Sequence, residues 1–231
     1  MTTDYKKIRE NLQNIHKRIE LAATSCGREP ATVILLAVSK TKPAGDIRAA
    51  FDAGQIRFGE NYVQEALDKM EHLRDLPIEW HYIGGIQSNK TRQIAHAFAW
   101  AHGVASLKHA RRLSEQRPEE MPPLNLCLQV NISGESSKQG VSPEEVPALA
   151  RDIASLSNIQ VRGLMCLPEP TDDRQQQQRA FARVRALFDE LNRDGHRLDT
   201  LSMGMSGDLE AAIEEGSTMV RIGTAIFGAR T

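Results

Sequence analysis

The sequence predicts an α/β protein, a single TIM-type (β/α)8 barrel, and three observations carry that prediction. Apolar strand-like runs alternate with helix-periodic segments about eight times. The chain has 231 residues, the size of one such barrel, and no linker-like stretch divides it. The first strand-like run, "TVILLAVS", is continuous rather than alternating, as expected for a parallel strand covered on both faces. Residues 1–231 therefore read as one domain.

The first segment, 1–26, reads as an extra helix: Ile8, Leu12, Ile15, Ile19 and Ala22 recur at helical spacing. It stops near Gly27, before Pro30. "TVILLAVS" is then the first strand, and Ile47 and Phe51 mark a helix closing at Gly54. "IRFGEN" is the second strand, followed by a helix striped by Tyr62, Val63, Ala66, Leu67, Met70 and Leu73. "WHYIGG" is the third, and "SNKTRQIAHAF" reads as a helix capped by Ser88 or Asn89. "WAHGVAS", the helix "LKHARRLSEQ" and the strand "LNLCLQVNI" continue the alternation across a proline-rich loop at 118–123. Ser142-Pro143-Glu144-Glu145 has the form of a capping box with proline at the first helical position, opening the next helix. "IQVRGLMCL", a long helix lined by Phe181, Val184, Phe188 and Leu191, "TLSMGM", "DLEAAIEE" and a last strand "MVRIGTAIFG" complete the chain. Since almost nothing follows that strand, the N-terminal helix is expected to fill the vacant place in the outer ring.

Composition narrows the function. A formal net charge of −1 argues against a nucleic-acid partner. No uncharged apolar stretch is long enough to span a membrane, and the N-terminus lacks the pattern of a signal peptide, so a cytoplasmic location is expected. Cys26, Cys127 and Cys166 lack metal-ligand spacing, and the latter two read as small buried hydrophobes. The histidines are scattered singly, so no metal site is predicted and His81 and His102 read as structural.

The working face of such a barrel lies at the C-terminal ends of its strands. Those ends carry Lys40, Asn61, Gly84-Gly85, Asn131, Met165, Met203 to Ser206, and Arg221, Gly223 and Thr224. No carboxylate pair occurs among them, which argues against glycoside hydrolysis. Small residues and hydroxyls after the last two strands suit an anion, as in barrels that bind phosphate there. A lysine ending strand one can form a Schiff base, and strand one closes against strand eight. A ligand with an aldehyde at one end and a phosphate at the other would bridge the two; pyridoxal phosphate (PLP) is such a ligand, with Arg221 beneath its ring nitrogen.

The stretches "LLAVSKTKP", "FGENYVQEALDK", "WHYIGGIQSNK", "GLMCLPEP" and "LSMGMSGDLEAAIEEGSTMVRIGTAIFGAR" closely resemble the pyridoxal-phosphate homeostasis (YggS/PROSC-like) family, related to the barrel domain of alanine racemase. The resemblance implies fold-type III PLP binding, with Lys40 forming the internal aldimine. It places Ser206, Gly223 and Thr224 at the phosphate, Arg221 at the pyridine nitrogen and Asn61 at the cofactor rim. The chain departs from the family pattern at Gly85 and Gly207. The resemblance further implies a monomer that makes transient contact with PLP-dependent apoenzymes.

An arginine at the ring nitrogen keeps that nitrogen unprotonated and weakens the ring as an electron sink. The expected function is thus holding and delivering PLP, with no catalytic residue assigned. An amino-acid racemase or lyase is the alternative, and a Schiff-base aldolase acting on a sugar phosphate the third reading. Lys42 is open between a secondary acceptor during transfer and a solvated lysine.

Overall fold

The computed structural model describes residues 4–133 and 139–229; residues 1–3 of the expected N-terminal helix segment, and Arg230 of the last family motif, lie outside them. Eight parallel strands close in chain order: β1 (Ile34–Val38), β2 (Arg57–Glu60), β3 (Glu79–Tyr82), β4 (Trp100–Val104), β5 (Leu124–Val130), β6 (Ile159–Cys166), β7 (Thr200–Ser202) and β8 (Met219–Ile222). Closure is made by β1 on β8, with Leu36 opposite Arg221 and Ala37 opposite Ile222. The expected barrel is therefore the observed fold.

Helices α1 (Tyr5–Ser25), α2 (Ala44–Asp52), α3 (Val63–His72), α4 (Thr91–Ala97), α5 (Leu107–Gln116), α6 (Val146–Ala154), α7 (Arg174–Arg193), α8 (Leu209–Glu214) and α9 (Thr224–Phe227) surround it. Among the described residues, no helix is long and apolar enough to cross a membrane. The α1 helix starts where the Asp4 carboxylate accepts from the Lys7 N–H. Its apolar stripe, Ile8 to Ala22, is buried against α2, α8 and α9. Arg18 adds a two-pronged bond to Glu210 on α8. The first helix thus lies between the last helices and α2.

Three local expectations are corrected. The last strand stops at Ile222 rather than running to Gly228, and a helical turn, α9, follows it. The reason is local: the Phe227 and Gly228 N–H groups bond back to Gly223 O and Thr224 O, which closes a turn instead of extending a strand. Neither Ser88 nor Asn89 caps α4; the Ser88 carbonyl accepts from the Thr91 hydroxyl, and Lys90 takes the N-cap place. The Ser142–Glu145 box forms only in part. The Glu145 carboxylate accepts from the Ser142 N–H, but the Ser142 hydroxyl also donates to that carboxylate, so this segment is a turn and α6 begins at Val146.

Between barrel and helices lies an apolar layer that includes the fully buried Phe58, Phe98 and Phe181. Truncating any of these rings to alanine costs about 3–5 kcal/mol. The barrel interior is different. Instead of branched apolar residues alone, it holds His81, His102, Ser202 and Arg221, all buried. Trp100, Cys127 and Met165 form a small apolar cluster of their own. Burial pushes the Cys127 and Cys166 thiols up to about 12, so neither is a reactive thiolate, in keeping with their reading as small hydrophobes.

Candidate functional site

The run that ends in Lys40 stops because the chain turns. The Lys42 N–H donates to Ser39 O at 3.0 Å, and Thr41 takes φ 65°, a left-handed conformation that a β-branched residue seldom adopts. This turn separates the two lysines. Lys40 stays at the mouth of the barrel, whereas Lys42 Nζ donates to the carbonyl of Ala229 at 2.8 Å, outside the cavity that Lys40 lines.

Lys40, Asn61, Ser206, Arg221, Gly223 and Thr224 all line one cavity of about 290 Å³ at the C-terminal ends of the strands. Val38, Ile83, Met165 and Leu167 supply its apolar walls. A larger depression of about 670 Å³ opens across the mouth over β2 to β5, and Asn61 borders both. The smaller cavity is the one that brings Lys40 and Arg221 together.

Arg221 points inward from β8. Its guanidinium donates to the carbonyl of Ser202, to the Ser202 hydroxyl at 2.7 Å and to the Cys166 carbonyl at 2.8 Å. Burial pulls its pKa down, but a guanidinium retains its proton in proteins.

The loop after β7 is shaped by Gly204, at φ 97°. A Cβ there would stand 2.6 Å from the Ala212 Cβ, so no other residue fits. Asp208 fixes the next turn by accepting from the Met205 N–H, and burial raises its pKa. Beside this loop, a Cβ on Gly223 would lie 3.1 Å from Val38 O, so the chain passes β1 closely as it leaves β8. Among the described residues, the backbone N–H groups of Ser206, Gly207, Gly223 and Thr224 have no protein acceptor. These donors border the cavity with the Ser206 and Thr224 hydroxyls and can hold an oxyanion. The Asn61 side-chain oxygen is buried at the cavity edge without a partner among the described residues.

Six residues expected from the sequence line this cavity, and the residues that support them are not among those expectations. Ser202, Asp208 and a buried trio of Glu60, Lys69 and Ser39 belong to that support. The Lys69 ammonium donates to Glu60 Oε1 at 2.7 Å and to Ser39 O at 2.8 Å. One signal was available: polar residues at inward positions of otherwise apolar strands, as in His81, His102, Ser202 and Arg221.

Comparison with known proteins agrees with this geometry. The family described as the alanine racemase N-terminal domain matches residues 4–231. The pyridoxal phosphate homeostasis protein of Pseudomonas aeruginosa is 61% identical over 223 residues, covering 96% of each chain. That of Escherichia coli K12 is 50% identical over 226 residues, 96% of this chain and 97% of that one. Among solved structures, PipY of Synechococcus elongatus, determined with PLP bound, superposes with a TM-score of 0.84 at 38% identity over 96% of this chain and all of that one (100%). Alanine racemase of Corynebacterium glutamicum shares the fold, with a TM-score of 0.73 at 17% identity, over 99% of this chain and 62% of that one.

Proposed function

The chain belongs to the family of pyridoxal phosphate homeostasis proteins, and on that premise we propose that it holds PLP at the barrel mouth and passes it on without turning over an amino acid. When bound, PLP brings an aldehyde, which condenses with amines, and a phosphate. The donor set suits both ends. Lys40 supplies the amine and is the residue proposed to carry the cofactor covalently. Ser206, Gly223 and Thr224, with the amide of Gly207, bind the phosphate. Asn61 closes the rim. Arg221 faces the ring nitrogen and, having only donors, occupies it without giving up a proton.

The observation that carries the carrier reading is what the cavity lacks. Among the described residues that line it, Lys40 and Arg221 are the only ones with titratable side chains. Racemisation needs an acid–base group on each face of the substrate. An arginine fixed by three acceptors serves neither face, which leaves Lys40 as the acid–base group among the described lining residues. Delivery to PLP-dependent apoenzymes, action as a monomer and a cytoplasmic site belong to the same proposal.

The test pairs spectroscopy with turnover. PLP-reconstituted protein is expected to show a visible-range band that is lost in Lys40→Ala, with amino-acid racemisation no faster than a free-PLP blank. Turnover well above that blank would replace the carrier by a racemase.

A further inference from the structure

Behind Arg221 a line of polar groups passes through the barrel interior, buried from Ser202 to His81 and ending at the half-exposed Glu79. The Ser202 hydroxyl lies 2.9 Å from His102 Nδ1, His102 Nε2 lies 3.0 Å from His81 Nδ1, and His81 Nε2 lies 2.8 Å from Glu79 Oε1. These groups stand on β7, β4 and β3. Because β4 and β7 are not neighbours in the barrel, the bond from His102 to Ser202 crosses its interior. Glu79 opens β3 at the opposite rim, where it also accepts from Arg57 at 3.1 Å.

Proton positions follow from the two ends. Arg221 can only donate, so the Ser202 oxygen accepts from it and the Ser202 proton is free for His102 Nδ1. His102 then carries its proton on Nε2 and donates to His81 Nδ1, and His81 donates from Nε2 to Glu79. From the other end, the bond from His81, helped by Arg57, holds the Glu79 carboxyl below its usual range. An ionised Glu79 requires a proton on His81 Nε2, which gives the same direction. Burial disfavours the charged form of both imidazoles, lowering the pKa of each.

We propose that His102 and His81 are positioning residues for Arg221, forming with Ser202 a one-directional relay from the guanidinium to the Glu79 carboxylate. Among the described residues Arg221 has no carboxylate within ion-pair distance, only two carbonyls and one hydroxyl. A buried cation with neutral partners is costly unless its acceptors are fixed. Here the relay polarises the Ser202 oxygen toward Arg221 and orients the guanidinium under the ligand ring. The inference rests on the PLP reading for the ligand, but not for the relay itself.

Two measurements test it. In ligand-free protein labelled with 15N-histidine, protons on Nε2 of both His81 and His102 are expected; a proton on His102 Nδ1 would overturn the relay whether or not PLP binds. With PLP added, His102→Leu removes the acceptor for Ser202 and is expected to shift the bound-PLP absorbance and weaken affinity roughly tenfold to hundredfold. His102→Asn offers a carboxamide oxygen at the same place and is expected to keep the wild-type spectrum, although it leaves the larger cavity. Equal behaviour of the two variants would reduce His102 to packing. Absence of any PLP band in the wild-type protein would instead count against the binding reading, leaving the 15N result to decide the relay.

Discussion

Lys69 Nζ lies 2.7 Å from Glu60 Oε1, with side chains only 7% and 0% exposed, directly behind the turn that presents Lys40. Glu60 Oε1 also accepts from the Ser39 hydroxyl at 2.6 Å, and Lys69 donates to Glu65 Oε1, which accepts in turn from the Thr41 N–H. The residues on either side of Lys40 are thereby tied to one ion-pair network. Burial raises the Glu60 pKa even against the pull of Lys69 and Ser39.

Removing one partner of this pair leaves a buried charge. Lys69→Met is expected to cost about 3–5 kcal/mol in urea unfolding, whereas Lys69→Met combined with Glu60→Leu recovers most of it. A double variant no more stable than the single would show that Glu60 is not the source of the loss.

Thr41 stores backbone strain beside the cavity. Thr41→Gly relieves a left-handed conformation worth about 1–2 kcal/mol but adds unfolded-state freedom. The net expectation is a change between zero and about 1 kcal/mol more stable, read from thermal or urea midpoints. A loss above about 1 kcal/mol would mean that the Thr41 side chain itself holds the turn.

Glycines around the cavity are not equivalent. Gly204→Ala is expected to destabilise by about 2 kcal/mol or more, through both its φ and the clash with Ala212. Gly207→Asp meets nothing within 4 Å of its Cβ and is expected to fall within about 0.5 kcal/mol of the parent. Comparing the two unfolding midpoints checks the assignment.

The buried histidines give a pH dependence of known sign. Their folded pKa values lie below the ordinary 6.5, so below about pH 6.5 the unfolded chain binds more protons and stability falls as pH drops toward the folded values. The steepest contribution is about 1.4 kcal/mol per pH unit for each histidine. Glu60 and Asp208, raised by burial, act in the opposite sense, losing stability as pH rises above the ordinary carboxylate range. The readout is therefore a difference: His102→Asn is expected to lose less stability than the parent between pH 7 and pH 5.5. Parallel curves would contradict a neutral buried His102.

Much of the site was legible because barrel geometry turns a list of strand ends into one rim. With "TVILLAVS" as strand one and "MVRIGTAIFG" as strand eight, Lys40 and Arg221 fall at the same mouth of a closed barrel. Gly223 and Thr224 were also found, although they belong to a turn and a helix rather than a strand; there apolar periodicity over Ala225 and Ile226 is shared by both conformations. The support behind the cavity was not legible. Glu60 and Lys69 are nine residues apart on β2 and α3, and no sequence rule distinguishes a buried lysine from the solvated ones beside it. His102 and Ser202 are joined across 100 residues, a relation that only the closed barrel creates.

The central claim is that Lys40 carries PLP, and borohydride reduction of the PLP-loaded protein followed by intact mass and peptide mapping tests it most directly. One reduced pyridoxyl phosphate per chain, on Lys40 alone, is the expected result. A label on Lys42 or another lysine with Lys40 unmodified would contradict it.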